Sequence, residues 1–299
     1  PFWSTLTVLA VQAIGLFLLG MAVGVLVDGW LDGRDETFGT VVGAVARRAW
    51  VVPVVVLFLR DRPEDVGLQA FGATDETPPV APIGNPVGAA FGALRAAWSS
   101  GAFWLLFGSF AVCGLSTTGL VQTHFISAAH EYGMSETTAG TYLALIGGFD
   151  IAGTLFSGWL TDRVDPRKLL LAYYLLRGLS LFALDPALAH GGGSLFGFMA
   201  FYGLDWVATV PPTIALCIQH FGRDRGPLVY GWVFAGHQIG GALAAWGAGA
   251  LHDSSGSYKP AFVVAAVCCL VAAAGVMAIR RPDEHEPAGF SLRTAPASG

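Results

Sequence analysis

Four ionisable residues stand in the middle of long apolar runs. Asp150, Arg177, Asp205 and His237 each lie within two residues of the centre of the runs 137–160, 169–189, 194–219 and 227–251. A carboxylate or an imidazole can take up and release a proton, and the ordinary imidazole pKa of about 6.5 suits that work near neutral pH. A guanidinium can pair with a carboxylate or receive an anion. Such groups are costly in hydrocarbon, so they face a bundle interior or a wet cavity. Four of them at one depth imply a polar layer near the middle of a membrane, where a solute or ion can be held.

Each has a purely structural alternative. Arg177 can neutralise Asp150 or Asp205 and lock helices together. His237, with its neighbour Gln238, can cross-link helices by hydrogen bonds instead of coupling to protons. For the two acids both roles stay open. His124, near the end of its run and close to Gln122, either lines an outer vestibule or is a wet interfacial histidine, and the second is expected. Cys113, Cys217, Cys268 and Cys269 sit in apolar runs without metal-ligand spacing to a histidine, and read as small buried hydrophobes. Neither a metal site nor a cofactor is indicated. No HExxH pattern or nucleophile signature supports a membrane hydrolase.

The elements that carry these residues follow from composition. Of 299 residues, 54% are hydrophobic and 12% charged, with a mean hydropathy of +0.59. A soluble domain carries about 25% charged residues, so this chain cannot clothe itself in a polar shell. The net charge of -5 gives no sign of a nucleic-acid partner. Apolar runs cover 3–27, 101–126, 137–160, 169–189, 194–219, 227–251 and 260–279. At about 1.5 Å per residue each can cross a hydrocarbon core about 30 Å thick. The sequence therefore predicts an all-α, polytopic transmembrane bundle. Region 38–59 is a poor span, because Arg47 and Arg48 would each cost about 2.5–3.5 kcal/mol at mid-membrane. The stretch 60–100, with Pro63, Pro78, Pro79, Pro82 and Pro86, reads as a linker, and 282–299 as a polar tail. The first run, opening at Pro1, lacks the charged flank and cleavage site of a signal peptide.

Loop charges orient the six runs after the linker. Alternation puts Arg60, Arg62, Arg95, Arg163, Arg167, Lys168, Arg223, Arg225, Arg280, Arg281 and Arg293 on one side, and only Lys259 on the other. The positive-inside bias makes the linker and the tail cytoplasmic. The dense knot Asp162, Arg163, Asp165, Arg167 and Lys168 is then a short hairpin between the second and third of these runs.

That knot also carries a family resemblance. "GWLTDRVDPRK" (158–168) resembles the G-x-L-x-D-R-x-x-x-R-K loop of the major facilitator superfamily, which joins the second and third helices of each six-helix half. "RDRPEDVGL" (60–68) looks like the start of that family's central loop, and "FYGLDWVATVPPT" (201–213) and "GWVFAGHQIGGA" (231–242) resemble members near the monocarboxylate and oxalate/formate carriers. The resemblance covers about 60–281. It implies that Gly158, Asp162, Arg163, Arg167 and Lys168 form a gating loop, held by ion pairs and an acid at a helix end. It implies that the third helix is peripheral, which favours the structural role for Arg177. Residues 1–59 depart from the pattern: they fit at most the fifth and sixth helices of a first half, or hold a degraded loop motif in "GVLVDGWLDGR" (24–34).

These readings combine into one expectation. Residues 1–59 form a partial first bundle of one or two spans, 60–100 the central cytoplasmic linker, 101–281 a six-span bundle, and 282–299 a cytoplasmic tail. The expected function is secondary transport of a small, monocarboxylate-like organic anion across the cell (inner) membrane by alternating access, with protons as the candidate coupling ion. Its partners are that substrate and the lipid bilayer. The alternative is a truncated, non-transporting membrane protein or sensor derived from a carrier. With half of its walls missing, the 299-residue chain alone is expected to show no saturable flux.

Overall fold

A computed structural model of the chain describes residues 85–280. The predicted spans 3–27 and 38–59, most of the linker, and the tail lie outside the described residues. Two units divide the chain, Pro1–Pro82 and Ile83–Gly299, and everything described belongs to the second.

Among the described residues every regular element is a helix. Helix α1 (Pro86–Ala97) precedes the first span. That span is continuous through α2 (Gly101–Gly114), a π-helical stretch (Leu115–Gln122) and α3 (Thr123–Glu131). Next come α4 (Glu136–Thr161), α5 (Pro166–His190), α6 (Gly192–Asp205), α7 (Val210–Ser255) and α8 (Lys259–Met277).

Five segments are long and apolar enough to cross a membrane, one of them the 64 residues Gly192–Ser255. As one rod that segment would reach about 96 Å, roughly three times the hydrocarbon thickness. Gly222 breaks it. With φ 82° and ψ 168°, it occupies a region open essentially to glycine alone, and the chain reverses there. The six passes expected after the linker are therefore present, the fourth being 192–221 and the fifth 223–255. Their ends follow local chemistry. Ser135 accepts from the Thr138 N–H to start α4, and Asp165 accepts from the Arg167 N–H, with Pro166 in the first turn, to start α5.

The helices pack in pairs: α5 along α8, α2 along α7, and α4 along α6. Small residues permit this. A Cβ added at Gly114 would overlap the His237 carbonyl, one at Gly240 the Ala111 carbonyl, and one at Gly153 the Leu204 carbonyl. Close backbone approach at small residues is how helices gain contact where lipid removes the hydrophobic driving force.

Two features exceed the sequence expectation. The linker 60–100 carries α1, opened by the Asn85 side chain accepting from the Gly88 N–H at 3.0 Å. The π stretch widens the first span over eight residues. Displaced carbonyls there find hydroxyl donors: Thr123 reaches Thr118 O at 2.8 Å and Tyr202 reaches Ser116 O at 2.9 Å. Such segments are uncommon and often mark functional sites.

Candidate functional site

The fourth span is not one rod. Its helix stops at Asp205, turns through 206–209, and resumes at Val210 just ahead of Pro211 and Pro212. Two prolines supply no N–H, so carbonyls one turn back lose their usual donors. The break falls at the centre of residues 192–221. Buried in an apolar bundle, its loose backbone groups must find partners.

Side chains from α4 and α5 provide them. Arg177, fully buried on α5, donates from Nε to Asp205 Oδ2 at 2.5 Å, and from Nη2 to the carbonyls of Asp205 (2.5 Å) and Trp206 (3.2 Å). The cation thus sits at the C-terminal end of α6, where the helix dipole favours positive charge. Asp150 on α4 accepts from the Val207 N–H at 3.0 Å and from the Thr154 hydroxyl at 3.1 Å. Ser157, one helical turn past Gly153 on α4, donates to Ala208 O at 2.5 Å. The break is thereby bound residue by residue from 205 to 208.

The network continues to α2. Arg177 Nη1 lies 3.0 Å from Cys113 Sγ, which in turn meets Thr209 Oγ1 at 3.4 Å. Cys113 also interacts with the His237 ring on α7. His237 stacks parallel on Phe234 with centroids 5.3 Å apart, and its Nδ1 lies 3.0 Å from Gln238 Oε1. A buried ion pair at one end therefore connects, through a thiol, to a half-buried imidazole and an exposed amide. Asp205 Oδ1 has no hydrogen-bond partner among the described residues.

Of the sequence candidates, Asp150, Arg177 and Asp205 meet at one break, and His237 with Gln238 joins them only through Cys113. His124 does not belong. It lies toward the opposite end of its span, with Nε2 2.8 Å from Ala245 O and its ring 5.2 Å from Tyr258, so it ties span one to span five. Cys113 was read as an inert hydrophobe. It is buried, but it bridges charged and titratable neighbours, as a lone cysteine in an apolar run could not reveal. The other three cysteines are free, with Cys217 and Cys269 buried. Among the described residues no group of His, Cys, Asp and Glu could hold a metal ion.

At the knot, Asp162 stands at the C-cap of α4 and Asp165 at the N-cap of α5. Arg167 pairs with Asp165 at 2.7 Å and donates to Ile279 O at 2.9 Å, joining the turn to the end of α8. Arg163 donates to Trp159 O at 2.9 Å and lies over the Trp159 ring at 4.2 Å. Asp162 and Lys168 are exposed, and a Cβ at Gly158 would meet nothing within 4 Å.

Comparison with known proteins places this bundle. The sequence profile of the Major Facilitator Superfamily matches residues 117–298, and the chain belongs to that family of multi-pass membrane proteins. It is 30% identical over 168 residues to the uncharacterized MFS-type transporter YcxA of Bacillus subtilis (strain 168), covering 55% of this chain and 40% of that protein. It is 31% identical over 156 residues to monocarboxylate transporter 13 of Rattus norvegicus, covering 52% and 36%. The chain thus spans well under half the length of these curated relatives. The E. coli fucose:proton symporter FucP shares the fold, with a TM-score of 0.59 at 21% identity, over 84% of this chain and 60% of that one.

Proposed function

We propose that this protein is part of a secondary carrier that moves a small organic anion across the cell (inner) membrane by alternating access, coupled to protons. The observation that carries the reading is the break at 206–209, mid-span and gathered by Asp150, Arg177 and Asp205. Carriers bind solutes at discontinuous helices near the midplane. The monocarboxylate relatives supply the substrate class, and the symporter of like fold supplies the proton.

In this reading Arg177 is not the anion's partner. Four of its N–H donors already serve Asp205, Trp206 and Cys113, so it fixes the break and leaves His237 and Gln238 to meet the solute. Asp150 and Asp205 are the proton-carrying candidates. The loop of Gly158, Asp162, Arg163, Arg167 and Lys168 closes the cytoplasmic end, and linker and tail lie on that side. The occupied state of Arg177 also favours a second reading, a neutral polyol or sugar as substrate.

The test is uptake by the protein as its gene encodes it, reconstituted in liposomes with an inward proton gradient. Radiolabelled short monocarboxylates and hexoses are offered separately. Saturable, gradient-driven uptake of the acids, weakened by His237→Ala, is expected. Uptake of sugars alone would replace the anion reading, and flux of neither would defeat both.

A further inference from the structure

The helix α1 offers an apolar face that the bundle does not cover. Its other face is docked. Ala93 and Ala97 are buried and Trp232 on α7 donates from Nε1 to Ala90 O at 2.9 Å, its ring reaching the edge of the uncovered face at Phe91, 5.3 Å away between centroids. At 100° per residue, Val87, Phe91, Leu94 and Trp98 fall within an arc of about 60°. Val87, Phe91 and Trp98 are 64%, 58% and 57% exposed. Arg95 and the small residues Gly88, Gly92 and Ala96 take the remaining side.

The depth of this stripe is fixed by its neighbour. Only residues 98–100 separate α1 from the first span, a reach of about 10 Å at most. Trp98 packs edge-on against Trp104 with centroids 4.7 Å apart, and Trp104 Nε1 donates to Trp98 O at 2.8 Å. Trp104 lies in the first turn of α2 and is itself exposed, so the stripe on α1 runs directly into the lipid-facing surface of a membrane span. Tryptophan with an apolar ring and a satisfied N–H is suited to that boundary.

We propose that α1 is an interfacial helix. It lies in the plane of the leaflet bordering the Asp162–Lys168 turn, with Val87, Phe91, Leu94 and Trp98 in the boundary between headgroups and acyl chains. Three large apolar side chains at this level gain by leaving water for that boundary. Trp232 clamps the helix to the fifth span, so the bilayer surface holds the end of that span in place. The inference rests on the fold alone and is independent of the substrate.

The experiment places single cysteines by Phe91→Cys, on the stripe, and Gly92→Cys, on the side of Arg95, in the full protein freed of its native cysteines. Each is labelled with bimane and reconstituted in phospholipid vesicles. Quenching by lipids bearing a nitroxide near the headgroup is compared with quenching by aqueous iodide. The Phe91 label should be quenched several-fold more by the lipid nitroxide than the Gly92 label, with the order reversed for iodide. Val87→Cys, one turn earlier and free of the Trp232 contact, should repeat the Phe91 pattern. Equal iodide quenching at all three sites would overturn the proposal in favour of a solvated helix. Protection of positions 87 and 91 from both quenchers would overturn it in favour of a covering protein segment, such as residues 1–82.

Discussion

Replacing Arg177 by methionine removes a buried charge while keeping most of the side chain's bulk. It leaves Asp205 without its cation and the carbonyls of Asp205 and Trp206 without donors. Breaking a buried pair on one side costs about 3–5 kcal/mol, and orphaned carbonyls add to that figure. A kcal/mol corresponds to roughly 2–4 °C in melting temperature for a domain of 150–250 residues. The Arg177→Met variant should therefore lose about 6–20 °C, read as the temperature at which half the detergent-purified protein leaves the monodisperse peak. The double variant Arg177→Met with Asp205→Leu carries no stranded charge and should recover part of the loss. It should not recover all, because the two carbonyls stay unpaired. Arg177→Lys should fall between, since one ammonium cannot reach the carboxylate, two carbonyls and the thiol from a single point. A methionine variant melting within about 2 °C of the parent, or a double variant no better than the single, would refute the argument that this pair holds the break.

Other outcomes follow from the same geometry. Asp150→Asn keeps an acceptor for the Val207 N–H and should purify like the parent, whereas Asp150→Leu orphans that donor and should lower yield and melting temperature; if the acid carries the proton, the Asn variant also loses gradient-driven uptake. Gly240→Ala should cost about 1–3 kcal/mol, because its Cβ meets the Ala111 backbone, while Gly147→Ala meets nothing within 4 Å and should melt with the parent. In intact cells a membrane-impermeant thiol reagent should label Gly192→Cys and spare Gly72→Cys and Ser291→Cys, and the reverse pattern would invert the topology. Tyr132 donates to Asp185, which pushes its phenol up to about 12. That value lies above the ordinary value of about 10, so the bond stabilises fully below pH 10 and is lost as pH rises toward 12. Asp185→Asn should move the ionisation of one tyrosine to lower pH in an absorbance titration, the step being identified by its loss in Tyr132→Phe, and an unmoved step would count against the bond.

The passes were legible because length and apolarity are what a bilayer demands of a span, and the structure moves their ends by only a few residues. The break in the fourth span was half legible. Pro211 and Pro212 announce lost donors, but no pattern names Ser157 and Arg177 as the groups that answer the freed carbonyls, since those contacts join residues 51 and 28 positions apart. Cys113 was hidden for the same reason: its chemistry comes from α5 and α7, not from its neighbours in sequence. The start of α1 was present in the pair Asn85–Pro86, a capping residue before a proline, yet the surrounding prolines masked it. Nothing in "LSTTGLVQ" marks a widened helix. His237 was placed at the right depth and does meet Gln238, but the rings of Phe234 and Phe110 that also flank it were not signalled by the sequence.

The single-residue elbow at Gly222 has a mechanical consequence. Two long rods meet there with no intervening loop, so the hinge has no slack to absorb a tilt of either. The same end is laced to the exit of the sixth span: His220 Nε2 lies 3.0 Å from Arg280 O, and Arg167 holds Ile279 O. Spans three, four, five and six are therefore tied at one rim by contacts a single residue wide. A torque applied to the fifth span is then expected to reach the other three as rotation instead of being spent in loop motion. The bundle should then move as a stiff body, and its stiffness rests on a residue with no side chain. A Cβ at Gly222 would touch nothing within 4 Å, yet alanine there is strained by its backbone angle and would loosen the rim without disturbing a single packed contact.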